Sequence, residues 1–132
     1  MEYARQPHQI RIMITDSNSR VRDLLKRELE HEGYEVFSTK NGQDILDRIS
    51  SPGSIDLIIL DPQLFCPYRL NLLGNLCSSA QNVPIIIHGF HDQRVYTESL
   101  QHVRFVDKDA NSIKELKEAV RSCMSSKTGG IA

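Results

Sequence analysis

Short apolar runs alternate with amphipathic stretches along this chain. Runs rich in β-branched residues recur at 10–14, 34–38, 55–60, 83–88 and 103–107. Each is too short for an ordinary helix, and together they predict five strands. Between them, apolar residues fall at helical spacing: Val21, Leu24, Leu25 and Leu29, then Ile45, Leu46 and Ile49, then Leu72, Leu73 and Leu76, and last Ile113, Leu116, Val120 and Met124. A fourth helix is expected within 91–101, where the period is weakest. Stop and start signals agree with this division. Ser17, Asn18 and Ser19 offer caps to the first helix, Gly33 closes it, and Pro52-Gly53 closes the second.

Strand and helix in strict alternation imply an α/β fold: a five-stranded parallel sheet with helices on both faces, because parallel neighbours need crossover connections. The unbroken runs at 55–60 and 83–87 suit strands buried on both sides. In such open sheets ligands bind beyond the carboxyl ends of the strands, where the strand order reverses. With the flavodoxin-like order 2-1-3-4-5, that reversal lies between the first and third strands. Those two strands end in Asp16 and Asp61, and the fifth, Val103-Arg104-Phe105-Val106-Asp107, hands over to Lys108. The expected domain spans 8–126. Residues 127–132 carry no apolar period and read as a flexible tail or the start of a linker.

Composition narrows the classes. A chain of 132 residues suits one domain with one core. With 16 basic and 17 acidic residues and a formal charge of -1, nothing electrostatic points to nucleic acid or an anionic membrane. No segment has the pattern of a signal peptide, and no apolar stretch nears the roughly 18 residues that span a bilayer. The expectation is a cytoplasmic protein. The cysteines, Cys66, Cys77 and Cys123, are odd in number and lack CxxC spacing, so reduced thiols are expected rather than a metal site.

The strand-end acids carry the chemistry. A carboxylate at such a place is held at its root and expected to be exposed at its tip, suited to binding a cation or accepting a phosphoryl group. Two ionised neighbours repel and raise each other's proton affinity unless a cation lies between them. Mg2+ meets that need: it takes about six oxygen ligands at roughly 2.1 Å and commonly joins one or two carboxylates to a phosphate. Phosphoryl transfer asks a protein mainly for positioning and charge neutralisation. Asp61 as nucleophile, Asp16 as metal ligand and Lys108 as countercharge form a sufficient set. Plainer roles suit other residues: a helix cap for Ser17, a packed and hydrogen-bonded histidine for His88, a turn for Asn41-Gly42, and core for Leu70, Leu72, Leu73 and Leu76. His91 and Asp92, near the expected rim, receive no role.

From residue 10 to about 125 the chain resembles the response-regulator receiver domains of two-component signalling, the CheY-like fold. The helix stretch Val21-Arg22-Asp23-Leu24-Leu25, the turn Asn41-Gly42 and the segment Phe105-Val106-Asp107-Lys108-Asp109-Ala110 carry it alongside Asp16 and Asp61. The resemblance implies that Asp61 is the phosphoacceptor and that Lys108 contacts the phosphoryl oxygens. It implies Mg2+ held by Asp16, Asp61 and the backbone carbonyl of Gln63, and a histidine kinase or phosphotransfer protein as donor. It also implies an output domain or target protein on the face made by the fourth helix, fifth strand and fifth helix. Departures are equally plain. Ser17 stands where the family has a second acid, which implies weak Mg2+ binding. Gly89 stands where a switch Ser or Thr ends the fourth strand. Phe105 holds the aromatic switch position without a tyrosine's hydroxyl. The loop after Asp61, Pro62-Gln63-Leu64-Phe65-Cys66-Pro67, is rewritten, and only residues 90–107 separate Gly89 from Lys108, implying a trimmed fourth helix.

Two other readings stand beside a phosphorylated receiver. One is a phosphorylation-independent pseudo-receiver, an interaction module that kept the fold, motivated by Ser17, Gly89 and Phe105. The other is an FMN binder using Thr15, Ser17 and Ser19 at a helix start. Glycine usually allows such close approach, and none occurs between residues 1 and 32.

Overall fold

A computed structural model describes residues 9–49, 51, 53–65, 74–76, 78, 82–98, 100 and 103–129. Its five strands are β1 (Arg11–Thr15), β2 (Glu35–Thr39), β3 (Leu57–Leu60), β4 (Ile85–Gly89) and β5 (Val103–Asp107). They form one all-parallel sheet in the order β2-β1-β3-β4-β5, as expected. Each strand begins one or two residues later than its apolar run, except β5, which matches.

The helices are α1 (Ser19–His31), α2 (Gly42–Ile49) and α3 (Ser112–Gly129). Of the three candidate caps, Asn18 caps α1, its side chain accepting from the backbone N–H groups of Arg20 and Val21. Ser17 is exposed and makes no cap. Gly33 follows the end of α1 with φ +97°, a conformation that favours a residue without Cβ. The helix expected around Leu72 and Leu73 lies largely outside the described residues, as do Leu70, Cys66 and Cys77; residues 74–76 are helical and Leu76 is fully buried. In place of a fourth α-helix the chain makes a 3-10 helix, His91–Tyr96. The short span between Gly89 and Lys108 and a weak apolar period leave too little to sustain a longer helix. α3 continues to Gly129, past the expected boundary at 126.

The pleat sorts strand residues into two cores. Ile12, Ile14, Leu57, Ile59, Ile86 and Val106 face α1 and α3, meeting Leu25, Leu29, Leu116 and Val120. Met13, Ile58, Leu60, Ile85 and Ile87 face the other way, against Ile45, Phe65 and Leu76. Burying each such side chain contributes roughly 1.5–3 kcal/mol. β3 is buried at every position, so its carboxyl end is a rigid platform for the residue that follows.

Candidate functional site

β1 and β3 run side by side, with Thr15 paired to Leu60, so Asp16 and Asp61 leave the sheet together. β4 and β5 pair through to Gly89 and Asp107, and Lys108 donates its backbone N–H to the Gly89 carbonyl at 2.7 Å. That bond anchors the backbone of the residue whose side chain crosses back over the sheet. Lys108 Nζ lies 2.9 Å from Asp16 Oδ2 and 3.2 Å from Asp61 Oδ2. The structure therefore brings together the three strand-end residues that the sequence singles out.

Their environment differs from the expectation. Asp16 and Asp61 are each 1 % exposed, and the Lys108 side chain is 13 % exposed, so the acids are buried rather than open at the tip. The lysine bridge is the physical reason such burial is tolerated, since an unpaired carboxylate would be costly there. The second oxygen of each acid is held locally. Asp16 Oδ1 accepts from the Asn18 N–H at 2.9 Å, and Asp61 Oδ1 accepts from the Gln63 N–H at 2.9 Å. Asp61 thereby caps a 3-10 turn, Pro62–Leu64. Burial pushes the Asp61 carboxyl above its usual range and the Asp16 charge adds to it; the Gln63 N–H and Lys108 act against them.

The donor set fits a hard cation. Asp16 Oδ2 is buried and, among the described residues, makes no aligned hydrogen bond despite its 2.9 Å contact with Lys108, so it retains lone-pair capacity to coordinate. Among the described residues no group of three or more His, Cys, Asp or Glu could hold a metal. Two carboxylates suit Mg2+ completed by water, not a cage supplied wholly by the protein.

The β4 side of the site departs further from expectation. His88 is packed as expected, 3 % exposed, but neither ring nitrogen has a hydrogen-bond partner among the described residues. Burial, with help from the Lys108 charge, pushes it down to about 4, so it is neutral at ordinary pH. Gly89 ends the strand where a Cβ would lie 2.7 Å from Pro62 Cγ and 2.8 Å from Gln93 Oε1. Phe90 is half exposed, with the Lys108 ammonium 5.4 Å from its ring centroid. Phe105 is partly buried under the Arg94 guanidinium, 4.5 Å from its ring. Arg94 and the exposed His91 both approach Asp107 at 3.5 Å.

Two residues with structural weight near the site escape sequence reasoning. Phe65, in the rewritten loop, is buried with its ring within 3 Å of where a Cβ on Gly42 would sit. Asn41 Oδ1 accepts from the Gln43 N–H at 2.9 Å, so Asn41-Gly42 is both helix start and close-approach point. Gln93 is the other, its side chain folded onto the Phe90 N–H at 2.8 Å. An aromatic after a strand-end acid is the one sequence signal for Phe65; nothing in the sequence marks Gln93.

A model of the response regulator receiver domain matches residues 12–121. A probable transcriptional regulatory protein of Picosynechococcus is 32% identical over 83 residues, 58% of this chain and 33% of that protein. The response regulator MprA of Mycolicibacterium vanbaalenii is 31% identical over 80 residues, 59% of this chain and 33% of that protein. The chain's matches thus span about a third of the length of these relatives. Among solved structures, the response regulator TrrA of Thermotoga maritima, in complex with Mg(2+)-BeF, superposes with a TM-score of 0.73 at 30% identity, covering 87% of this chain and 99% of that one.

Proposed function

The chain belongs to the response regulator receiver domain family, and from that membership we propose that Asp61 accepts a phosphoryl group from a histidine kinase or phosphotransfer protein. The observation that carries the assignment is the Lys108 ammonium set between the buried carboxylates of Asp16 and Asp61, 2.9 and 3.2 Å away. An Asp61 oxygen attacks phosphorus; an O–P bond forms as the bond to the donor breaks, and the donor leaves with its electron pair. Lys108 neutralises charge on the transferring oxygens. Asp16, Asp61 and the Gln63 carbonyl would hold Mg2+, which when bound screens the phosphoryl oxygens from the two acids. The Mg(2+)-BeF complex of the TrrA relative supports that assignment.

The same reading extends to partners. The surface formed by the 3-10 helix His91–Tyr96, β5 and α3 carries exposed Phe90 and Val95 beside the Arg94–Asp107 pair, and would pass the signal to an output domain or target protein. No described helix is long and apolar enough to cross a membrane, in keeping with a cytoplasmic setting.

Incubation with acetyl phosphate and Mg2+ tests the assignment. Mass spectrometry should find one phosphoryl group on the wild-type chain and none on Asp61→Asn. An unmodified wild type, or an Asp61→Asn protein that still takes the group, would overturn it.

A further inference from the structure

We infer that the side-chain amide of Gln93 donates a hydrogen bond to a phosphoryl group carried by Asp61, an inference that rests on the reading of Asp61 as phosphoacceptor. A phosphoryl group presents three strong acceptor oxygens. One ammonium and one cation site leave acceptor oxygens that the β4 side can meet. Leu60 pairs with Ile87, so β4 continues beside Asp61 and Pro62 toward Gly89, which offers no side chain. The space a side chain would take there is filled from elsewhere. Pro62 Cγ lies 2.7 Å and Gln93 Oε1 2.8 Å from the position of a Cβ on Gly89. The carboxamide and the ring of the residue that directly follows Asp61 thus share the space over the strand end.

The polarity of that amide is set by its neighbour. The Phe90 N–H can only donate, so the group facing it at 2.8 Å is the oxygen, and the NH2 end turns away. That NH2 end donates to no described residue. Gln93 is also tied through its backbone, its own N–H donating to the Phe90 carbonyl at 2.8 Å. Held at two points and half-buried, the amide meets an incoming anion without first being ordered. A donor with no acceptor among the described residues, at the strand end that adjoins the residue following Asp61, is the juxtaposition that carries the assignment.

Beryllofluoride with Mg2+, a phosphoryl mimic, tests this on the 15N-labelled full chain. In the wild type, the Gln93 side-chain NH2 resonances should move downfield and gain protection from solvent exchange when the adduct forms. Gln93→Glu keeps an acceptor for the Phe90 N–H but loses the donor, and Gln93→Met loses both without adding charge. Each should bind the probe about tenfold more weakly, as expected for a lost hydrogen bond to a charged group. An adduct that leaves the Gln93 amide unmoved, or variants that bind like wild type, overturns the role of Gln93 alone. No adduct in the wild type overturns the phosphoacceptor reading, and this inference with it.

Discussion

The carboxyl edge of the sheet is built in two ways. On the β1 and β3 side, two buried acids are locked by backbone N–H groups of Asn18 and Gln63 and bridged by one lysine. On the β4 side, the strand ends in His88 and Gly89: a neutral imidazole with no hydrogen-bond partner among the described residues, then a residue without a side chain. The first region is held by charge and hydrogen bonds, and the second is shaped by packing. Capturing a phosphoryl group and reporting its arrival therefore place separate demands on the sequence. Charge must be exact in sign and place on one side, whereas the other side tolerates replacement so long as a donor reaches the same space.

Removing Lys108 should expose the contrast most strongly. Lys108→Ala leaves two buried carboxylates without a countercharge and should cost about 3–5 kcal/mol in urea unfolding. Added Mg2+ should recover part of that loss. A cost below about 1 kcal/mol, within the range of an exposed pair, would break the comparison.

His88 sharpens it through pH. Its folded value near 4 lies below the ordinary value of 6.5, so between those limits the unfolded chain binds the extra proton and stability rises with pH. The wild type should lose up to about 3 kcal/mol from this residue as pH falls from 6.5 to 4. Asp61 opposes this. Its raised folded value makes its own contribution complete in acid and lost as pH rises through that value. His88→Leu isolates the imidazole, and its advantage over wild type should grow as the pH is lowered. A difference that stays flat from pH 7 to 4 would show that the histidine is not held neutral.

Gly89→Ala probes packing. Its Cβ would press on the Pro62 ring at 2.7 Å, and overpacking of this kind costs about 1–3 kcal/mol by thermal or chemical melts. An unchanged melting point would mean that the strand end is looser than the contacts indicate. The smallest effect belongs to Ser17→Asp. Restoring an acid beside Asp16 should tighten Mg2+ about tenfold, equivalent to about 1.4 kcal/mol. Titration followed by backbone amide shifts would read it, and unchanged affinity would remove Ser17 from the metal site.

The fold was legible because each strand announces itself by a β-branched run and each crossover by a helical period. Asp16, Asp61 and Lys108 were legible as a group because each closes one of those runs. Their burial was not, since it depends on Lys108 reaching back over two strands, a matter of distance in space. The cap on α1 went to Asn18 rather than Ser17 because backbone direction at the strand exit decides among adjacent polar residues. The sequence marks His88 as packed but not as unpartnered, because it shows the apolar neighbours along the strand and not the groups that face the ring across space. The segment 91–101 lacked the period to distinguish a 3-10 helix from a short α-helix. Gln93 and Phe65 act through contacts with Gly89 and Gly42, which no local pattern reveals.

The bridge from Lys108 to Asp16 and Asp61 also has a consequence for how the molecule is made. β4 lies between β3 and β5, so the lysine cannot reach the acids until every later strand has been inserted. Contacts this distant along the chain form late and slowly. Until then Asp16 and Asp61 would lie side by side without the ammonium that bridges their carboxylates. Two ionised neighbours repel, so the arrival of β5 would remove a penalty that the earlier strands would otherwise bear.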